Sequence, residues 1–524
     1  MKNLNSSKIK FLVILFVFLF SFVLRLWNLN KVGRTWDEGA YVEIGNSMVY
    51  QLQKGNFSSP LFYETTDAPP LARYMYGIAS KLDVSYYNNG VPFFNYDYTY
   101  SRLVSVFFSS LSVAVLVLFG IEFISFFVGV SAGIILSMLP FFLGLSQLAT
   151  LESMLFFFFT TSIYLFLRFL KKPNRISLII TGVSIGLALL SKYTNILLIP
   201  LIFSILYFWL KYDKPKSVRL IFKKILGIFL VGLLTFISLW PMPWSHLDYV
   251  VKYNYNWRVL GNIHPDIEVF FGKLIHLPFF YYFVMFLITT PFLVIILFFI
   301  GSKYISDIGK NFKTGKVPGQ KGNISEKLIL YSLVLWFCIP FIQSFYNFRH
   351  HGIRFIIEIY APLALISAIG LDYLINRFTK RFIKKLIILG LVTLYFLIIL
   401  LKITPYYLDY FNIVVGGTKN VYEKRMFELG WWGEGIGEAG SYLKNNAPKN
   451  SNIGLAISPI GVFPKLRGYK VIEYKENEKY DFVVVNYFHI LREGFDDSYI
   501  TSHYKLVYTV KADGAVLVYV YKKL

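Results

Sequence analysis

Two adjacent carboxylates, Asp37 and Glu38, follow directly on a hydrophobic run of membrane length, Phe11 to Trp27, and lie beside Trp36 and Tyr41. A carboxylate pair at a membrane–water boundary suits a general base that deprotonates an acceptor hydroxyl, with apolar surroundings raising its pKa toward working pH. The same pair, next to Thr35, suits equally well the acidic first turn of a helix. A further acid, Glu152 in Ala149-Thr150-Leu151-Glu152-Ser153, opens another apolar run. An ionisable residue there is costly unless it faces a cavity or a partner, so a functional role is favoured over a capping one. Against these acids stand Arg73, Arg102, Lys192, Arg258, Arg349 and Arg354, all expected near the same membrane face. Guanidinium binds phosphate oxygens through paired charged hydrogen bonds, whereas snorkelling to lipid headgroups is the plainer reason for each. Arg354, at the mouth of an apolar run, is the first choice as a phosphate holder.

Other chemistries find little support. His246, His264, His276, His350 and His351 contain no His-x3-His pair, so a zinc-hydrolase motif is absent. A divalent ion held by Asp37 or Glu152 stays open but has nothing else in the sequence behind it, and no cofactor is assigned. No Ser-His-Asp arrangement or nucleotide-phosphate loop stands out, which argues against a hydrolase or an ATP-driven pump. The single cysteine, Cys338, excludes an intramolecular disulfide.

The elements that must position these residues are membrane helices. The chain has 524 residues, 56% of them hydrophobic, and a mean hydropathy of +0.53. Apolar runs predict about eleven spans at about 20 residues each: 9 to 27, 101 to 120, 123 to 143, 151 to 170, 176 to 190, 193 to 210, 221 to 240, 279 to 300, 328 to 345, 355 to 376 and 385 to 403. The net charge of +23 resides in short clusters between these runs, which reads as topology and not as nucleic-acid binding. Lys171 to Arg175, Lys211 to Arg219, Lys303 to Lys327 and Arg377 to Lys385 fall on one side with the N-terminus, the cytoplasm. The segments 28 to 100, 241 to 278 and 346 to 354, the short turn near 144 to 152 and everything after about 404 then lie outside. The first run lacks a small-residue cleavage site and is taken as a membrane helix.

Residues 1 to 403 are thus expected to form the membrane domain. Within its first external loop, 28 to 100, Tyr41 to Leu52 and Leu71 to Leu82 have near-helical spacing and read as surface helices, the second started by Pro69-Pro70. Residues 404 to 524 read as a soluble α/β domain. A helix over Glu434 to Lys444 is followed by strands at Asn452 to Ser458, Lys470 to Glu473, Asp481 to Asn486, Tyr504 to Val510 and Gly514 to Tyr521.

Several motifs occur in an order more specific than any one of them. Asp37-Glu38-Gly39-Ala40-Tyr41 comes first, then Pro69-Pro70-Leu71-Ala72-Arg73-Tyr74, then Arg102 opening the second membrane helix. Gly186 to Tyr193, Leu277 to Tyr282, Arg354-Phe355 before Tyr360-Ala361-Pro362, Leu408 to Asn412 and Gly430 to Gly435 follow. This series, spread over residues 9 to 445, resembles the dolichyl-phosphate-mannose protein mannosyltransferases, membrane glycosyltransferases of the GT-C fold. The chain departs from that family in having Ala68 where His or Lys commonly precedes Pro-Pro, with Asp67 and Arg73 near enough in sequence to compensate.

The resemblance implies transfer of a sugar from a polyprenyl-phosphate carrier to a hydroxyl at the outer leaflet, with inversion. Asp37, with Glu38, would activate the acceptor; Arg354, with Arg73, Arg102 or Lys192, would hold the leaving phosphate. Glu152 would order the site or bind acceptor, and tyrosines such as Tyr41 would stack on the sugar. The partners implied are the donor lipid, a protein or cell-envelope lipid or glycan acceptor, and the plasma-membrane bilayer. The rival class is a lipid or solute transporter, disfavoured because no internal repeat is visible and the acids sit at the boundary rather than mid-membrane.

Overall fold

The computed structural model describes residues 6–63, 68–88, 90–213, 218–248, 252, 266–311, 325–346, 351–476 and 478–524. Among the described residues, eight helices have the length and apolar character to cross a membrane: Ser7–Leu26, Thr99–Phe123, Glu152–Lys171, Tyr193–Asp213, Arg219–Ser238, Glu326–Ser344, Arg354–Phe378 and Phe382–Ile403. Arg175–Ser191 is a shorter apolar helix.

Two further expected spans are each a pair of helices meeting at a sharp bend, which brings the candidates among the described residues to as many as ten. Phe126–Met138 meets Pro140–Ser146 at 69°, and Tyr281–Thr289 meets Phe292–Ile308 at 113°. Proline is the physical cause of both breaks. Its ring forces the preceding residue out of helical geometry and its nitrogen donates no hydrogen bond. Leu139, before Pro140, is extended at ψ 117°, and Thr290, before Pro291, at ψ 134°.

Small residues let the helices touch. A Cβ on Gly301 would lie 2.0 Å from the Ile366 carbonyl oxygen, so Phe292–Asn311 and Tyr360–Phe378 cross in backbone contact, as close packing within a bilayer favours. Arg354–Phe378 runs through the middle of the bundle, with 89% of its most apolar stretch buried, against 17% for Arg219–Ser238.

Between Ser7–Leu26 and Thr99–Phe123, Glu38–Gln53 and Leu71–Ala79 form helices close to the expected positions. They cross where a Cβ on Gly77 would meet the Gly45 carbonyl at 2.1 Å, so no larger residue fits either position. Thr99–Phe123 starts on a buried acid from this segment: Asp83 accepts the Tyr100 and Ser101 backbone N–H groups, each at 2.9 Å. That cap supplies the donors' missing partners at a helix start.

Between Arg219–Ser238 and Tyr281–Thr289 lies an antiparallel hairpin, Ile267–Phe270 with Lys273–His276, absent from the sequence expectation. The C-terminal part carries a five-stranded sheet in the order Lys470–Glu473, Asn452–Ala456, Phe482–Asn486, Ala515–Lys523, Tyr504–Ala512. The first three strands are parallel, and the last two pairings antiparallel. Phe482–Asn486 is buried throughout, as suits a central strand read as an apolar run.

Candidate active site

Asp37, Glu152, Lys192 and Arg354 meet at one end of the bundle. Each stands at an element end: Asp37 caps Glu38–Gln53, Glu152 begins Glu152–Lys171, Lys192 follows Arg175–Ser191, and Arg354 begins the 3-10 turn Arg354–Ile359. Helix ends aligned at one level bring residues more than three hundred positions apart into contact.

Arg354 is the hub. Its Nε donates to Glu152 Oε1 at 2.7 Å and its Nη2 to Asp37 Oδ2 at 2.8 Å. Lys192 Nζ donates to the same Glu152 oxygen at 3.0 Å. Two acids and two bases thus offset one another, the condition for placing four charges largely out of water. The Trp432 ring lies 4.1 Å beneath the guanidinium, and Lys192 sits 4.8 Å over Phe355. Glu152 is fully buried and the Lys192 side chain is 10% exposed, whereas the Asp37 carboxylate is 26% exposed. Asp37 is therefore the member best placed to meet an incoming hydroxyl.

The cluster is not saturated. Glu152 Oε2 and the Thr150 hydroxyl are buried near one another, and neither makes a hydrogen bond of good geometry among the described residues. The same holds of both carboxylate oxygens of Glu358, on the Arg354–Ile359 turn, which have the Thr194 hydroxyl as a neighbour. Glu358 is absent from the sequence expectation, although an acid inside the run Phe355-Ile356-Ile357-Glu358-Ile359 is the signal an intramembrane ionisable group leaves.

Glu38 and Arg102 require a correction. Both side chains are fully buried and spent on one another: Arg102 Nε donates to Glu38 Oε1 at 2.7 Å and Nη2 to Oε2 at 2.6 Å. Glu38 also accepts the Ala149 N–H at 2.9 Å and the Thr35 N–H at 3.0 Å. Arg102 donates further to the carbonyls of Leu29, at 2.9 Å, and Gly33. Burial alone would raise the Glu38 carboxyl, but the Arg102 charge and these hydrogen bonds hold it below its ordinary value. With its lone pairs taken, Glu38 is not a second base, and Arg102 has no free edge for a phosphate. Instead the pair ties the loop bearing Asp37 to the turn bearing Glu152. Trp36 N–H, donated to the Trp432 carbonyl at 3.2 Å, fixes the same loop from the other side.

Of the remaining candidates, Arg73 and Tyr41 lie together, with Tyr41 in electrostatic reach of Arg354. Arg73 is buried, facing the carbonyls of Ala68 and Ala40 at 3.2 and 3.4 Å, and lies 5.5 Å over the Tyr41 ring. Asp67, Arg258, Arg349, His264 and His350 lie outside the described residues. His246 stacks on Tyr63 at 4.1 Å.

Beside the cluster, rings continue the stack away from Arg354. Trp432 stacks on Trp431 at 4.7 Å, and Trp431 on His351 at 5.1 Å with the planes 8° apart. This column borders a small recess lined by Glu268, Tyr281, His351, Glu428 and Trp431 among others. Burial, then the neighbouring Glu428 charge, push the Glu268 carboxyl up to about 8.

Fold and site together define a multi-span membrane protein with the GT-C glycosyltransferase fold and a small C-terminal sheet domain. The chain is similar to the crystal structure of ArnT from Cupriavidus metallidurans bound to undecaprenyl phosphate, with 12% identity, 97% of each chain covered and a TM-score of 0.52. The apo structure of that protein gives 14% identity at the same coverage and TM-score. Residues 13–237, somewhat under half of the chain, match the model of the dolichyl-phosphate-mannose-protein mannosyltransferase family, so the resemblance read from the motifs stands. The matched region holds Asp37, Glu152 and Lys192; Arg354 lies beyond it. A comparison with curated proteins finds no match.

Proposed function

We propose that this protein transfers a hexose, mannose-like, from a polyprenyl-phosphate carrier to a hydroxyl on a protein or a cell-envelope lipid or glycan. The observation that carries this reading is Arg354 bridging Asp37 and Glu152, with Lys192 on the same Glu152 oxygen. In this scheme Asp37 accepts the proton of the acceptor hydroxyl, and the hydroxyl oxygen attacks the anomeric carbon from the face opposite the leaving group. The bond from anomeric carbon to phosphate oxygen breaks, and the phosphate departs with the electron pair. Arg354 and Lys192 stabilise the charge that develops on it, where preorganised donors act most strongly. Glu152 holds both cations in place. A lipid phosphate as leaving group requires no nucleotide site. Known neighbours support the donor class: the similar ArnT structure holds undecaprenyl phosphate.

In the membrane, the N-terminus lies in the cytoplasm, and the cluster and C-terminal domain face outward from the plasma membrane. The lysine and arginine clusters between helices support this orientation. The test is incubation of the purified protein with polyprenyl-phosphate mannose, labelled in the sugar, and a membrane extract of acceptors. Label passing from the lipid to protein or glycan supports the reading. Lipid that crosses a vesicle with its sugar intact would overturn it.

A further inference from the structure

At the end of the aromatic column farthest from Arg354, ligand atoms of another kind converge. Asp266, Glu268 and His351 each offer one donor atom, and the three atoms lie within 4.8 Å of one another. Asp266 and Glu268 are two apart on extended backbone, which places both side chains on one side of the hairpin strand Ile267–Phe270. His351 Nδ1 stands 3.3 Å from Glu268 Oε1. Two ligands bound to a tetrahedral ion at about 2.0–2.1 Å are themselves about 3.3 Å apart.

The surroundings hold these groups in place. His351 has a φ of 86°, the left-handed region in which a non-glycine residue is strained, and strain of this kind concentrates at ligand clamps. Its N–H donates to Glu268 Oε1 at 3.1 Å, and its ring is clamped against Trp431. Tyr281 donates its hydroxyl to Glu268 Oε2 at 2.9 Å and accepts the Gly352 N–H at 2.9 Å, the outer hydrogen bonding that orients a ligating carboxylate. Glu428 lines the same recess, opposed by Arg492 at 3.5 Å. Burial disfavours the ionised form of a carboxylate here, and a cation at this point would favour it.

We propose that Asp266, Glu268 and His351 bind one divalent ion of the zinc class, which clamps the hairpin to the segment that delivers Arg354. Imidazole with carboxylates selects a transition metal over magnesium or calcium, and three protein ligands leave a fourth position for water. The ion's role is positional. Through Trp431 and Trp432 it sets the platform under Arg354, and it stands whether or not the sugar-transfer reading does.

The test uses the full chain in detergent, stripped with chelator and titrated with zinc chloride or magnesium chloride alone. Metal content is counted by mass spectrometry and the unfolding midpoint is followed by heating. The expected result is about one zinc per chain and a raised midpoint, with no response to magnesium. Zinc affinity falls on the order of a hundredfold or more in Glu268→Gln and in His351→Asn. His489→Asn, which alters the exposed pair His489–Glu493, leaves binding unchanged. Should Glu268→Gln fail to fold, His351→Asn decides, since its side chain is 42% exposed. Absence of zinc binding by the wild type, equal binding by the His351 variant, or loss of binding in the His489 variant would each overturn the proposal.

Discussion

Glu38 with Arg102 and Glu152 with Arg354 are both buried carboxylate–guanidinium pairs at the same end of the bundle, and they differ in how fully they are satisfied. Glu38 accepts from Arg102 at both oxygens and from two backbone N–H groups besides, while Arg102 spends its remaining donors on carbonyls. Glu152 leaves one oxygen without a hydrogen bond of good geometry among the described residues, and Arg354 reaches past it to the part-exposed Asp37. A saturated pair can only hold segments together. An unsaturated one retains capacity for something that arrives, so closure and not residue type separates scaffold from site.

Breaking the closed pair has the largest expected effect. Glu38→Ala leaves the Arg102 charge buried and alone, and is expected to lower stability by about 3–5 kcal/mol, read as a collapsed yield and unfolding midpoint. Its pH signature has a definite sign. Because the folded carboxyl is held below the ordinary 4.5, its stabilisation is full above that value and is lost as pH falls through the lower, folded pKa. Glu38→Gln is therefore expected to show a flatter acid limb in midpoint against pH than the wild type.

The open cluster is expected to respond in rate more than in folding. Asp37→Asn should cut sugar transfer by about 100- to 10,000-fold, the range for loss of a general base, with the unfolding midpoint lowered less than by Glu38→Ala because the Asp37 carboxylate is part-exposed. Arg354→Lys keeps the charge but cannot donate to Asp37 and Glu152 from a planar fork. Losing a charge-assisted hydrogen bond of about 1.5–3 kcal/mol corresponds to a rate lower by roughly 10- to 150-fold. At the bottom of the scale, Lys419→Ala removes an exposed pair with Glu423, 3.5 Å long and over half exposed on both sides. Its effect on the midpoint should stay below about 0.5 kcal/mol.

What could be read from the sequence divides along similar lines. The helices and the C-terminal strands were legible because hydrophobic periodicity and apolar run length report burial directly. The two broken spans were not, although Pro140 and Pro291 stood in plain view, because apolar composition continues across a kink. Asp37, Glu152, Lys192 and Arg354 could be singled out as charges at the ends of apolar runs, and these four do meet. Sequence could not tell Glu38 from Asp37, since the distinction lies in which neighbour faces Arg102, a matter of one residue's rotation at a helix start. Nor could it bring Asp266 and Glu268 to His351, or stack Trp431 and Trp432 beneath Arg354. Those contacts depend on how the hairpin and the C-terminal part close over the bundle.

The most direct measurement of the division between scaffold and site is the initial rate of sugar transfer by wild type, Asp37→Asn and Glu38→Gln, each normalised to folded protein. The account predicts that the Asp37 variant loses transfer while the folded fraction of the Glu38 variant retains it. Transfer that persists in Asp37→Asn and vanishes in folded Glu38→Gln would contradict it.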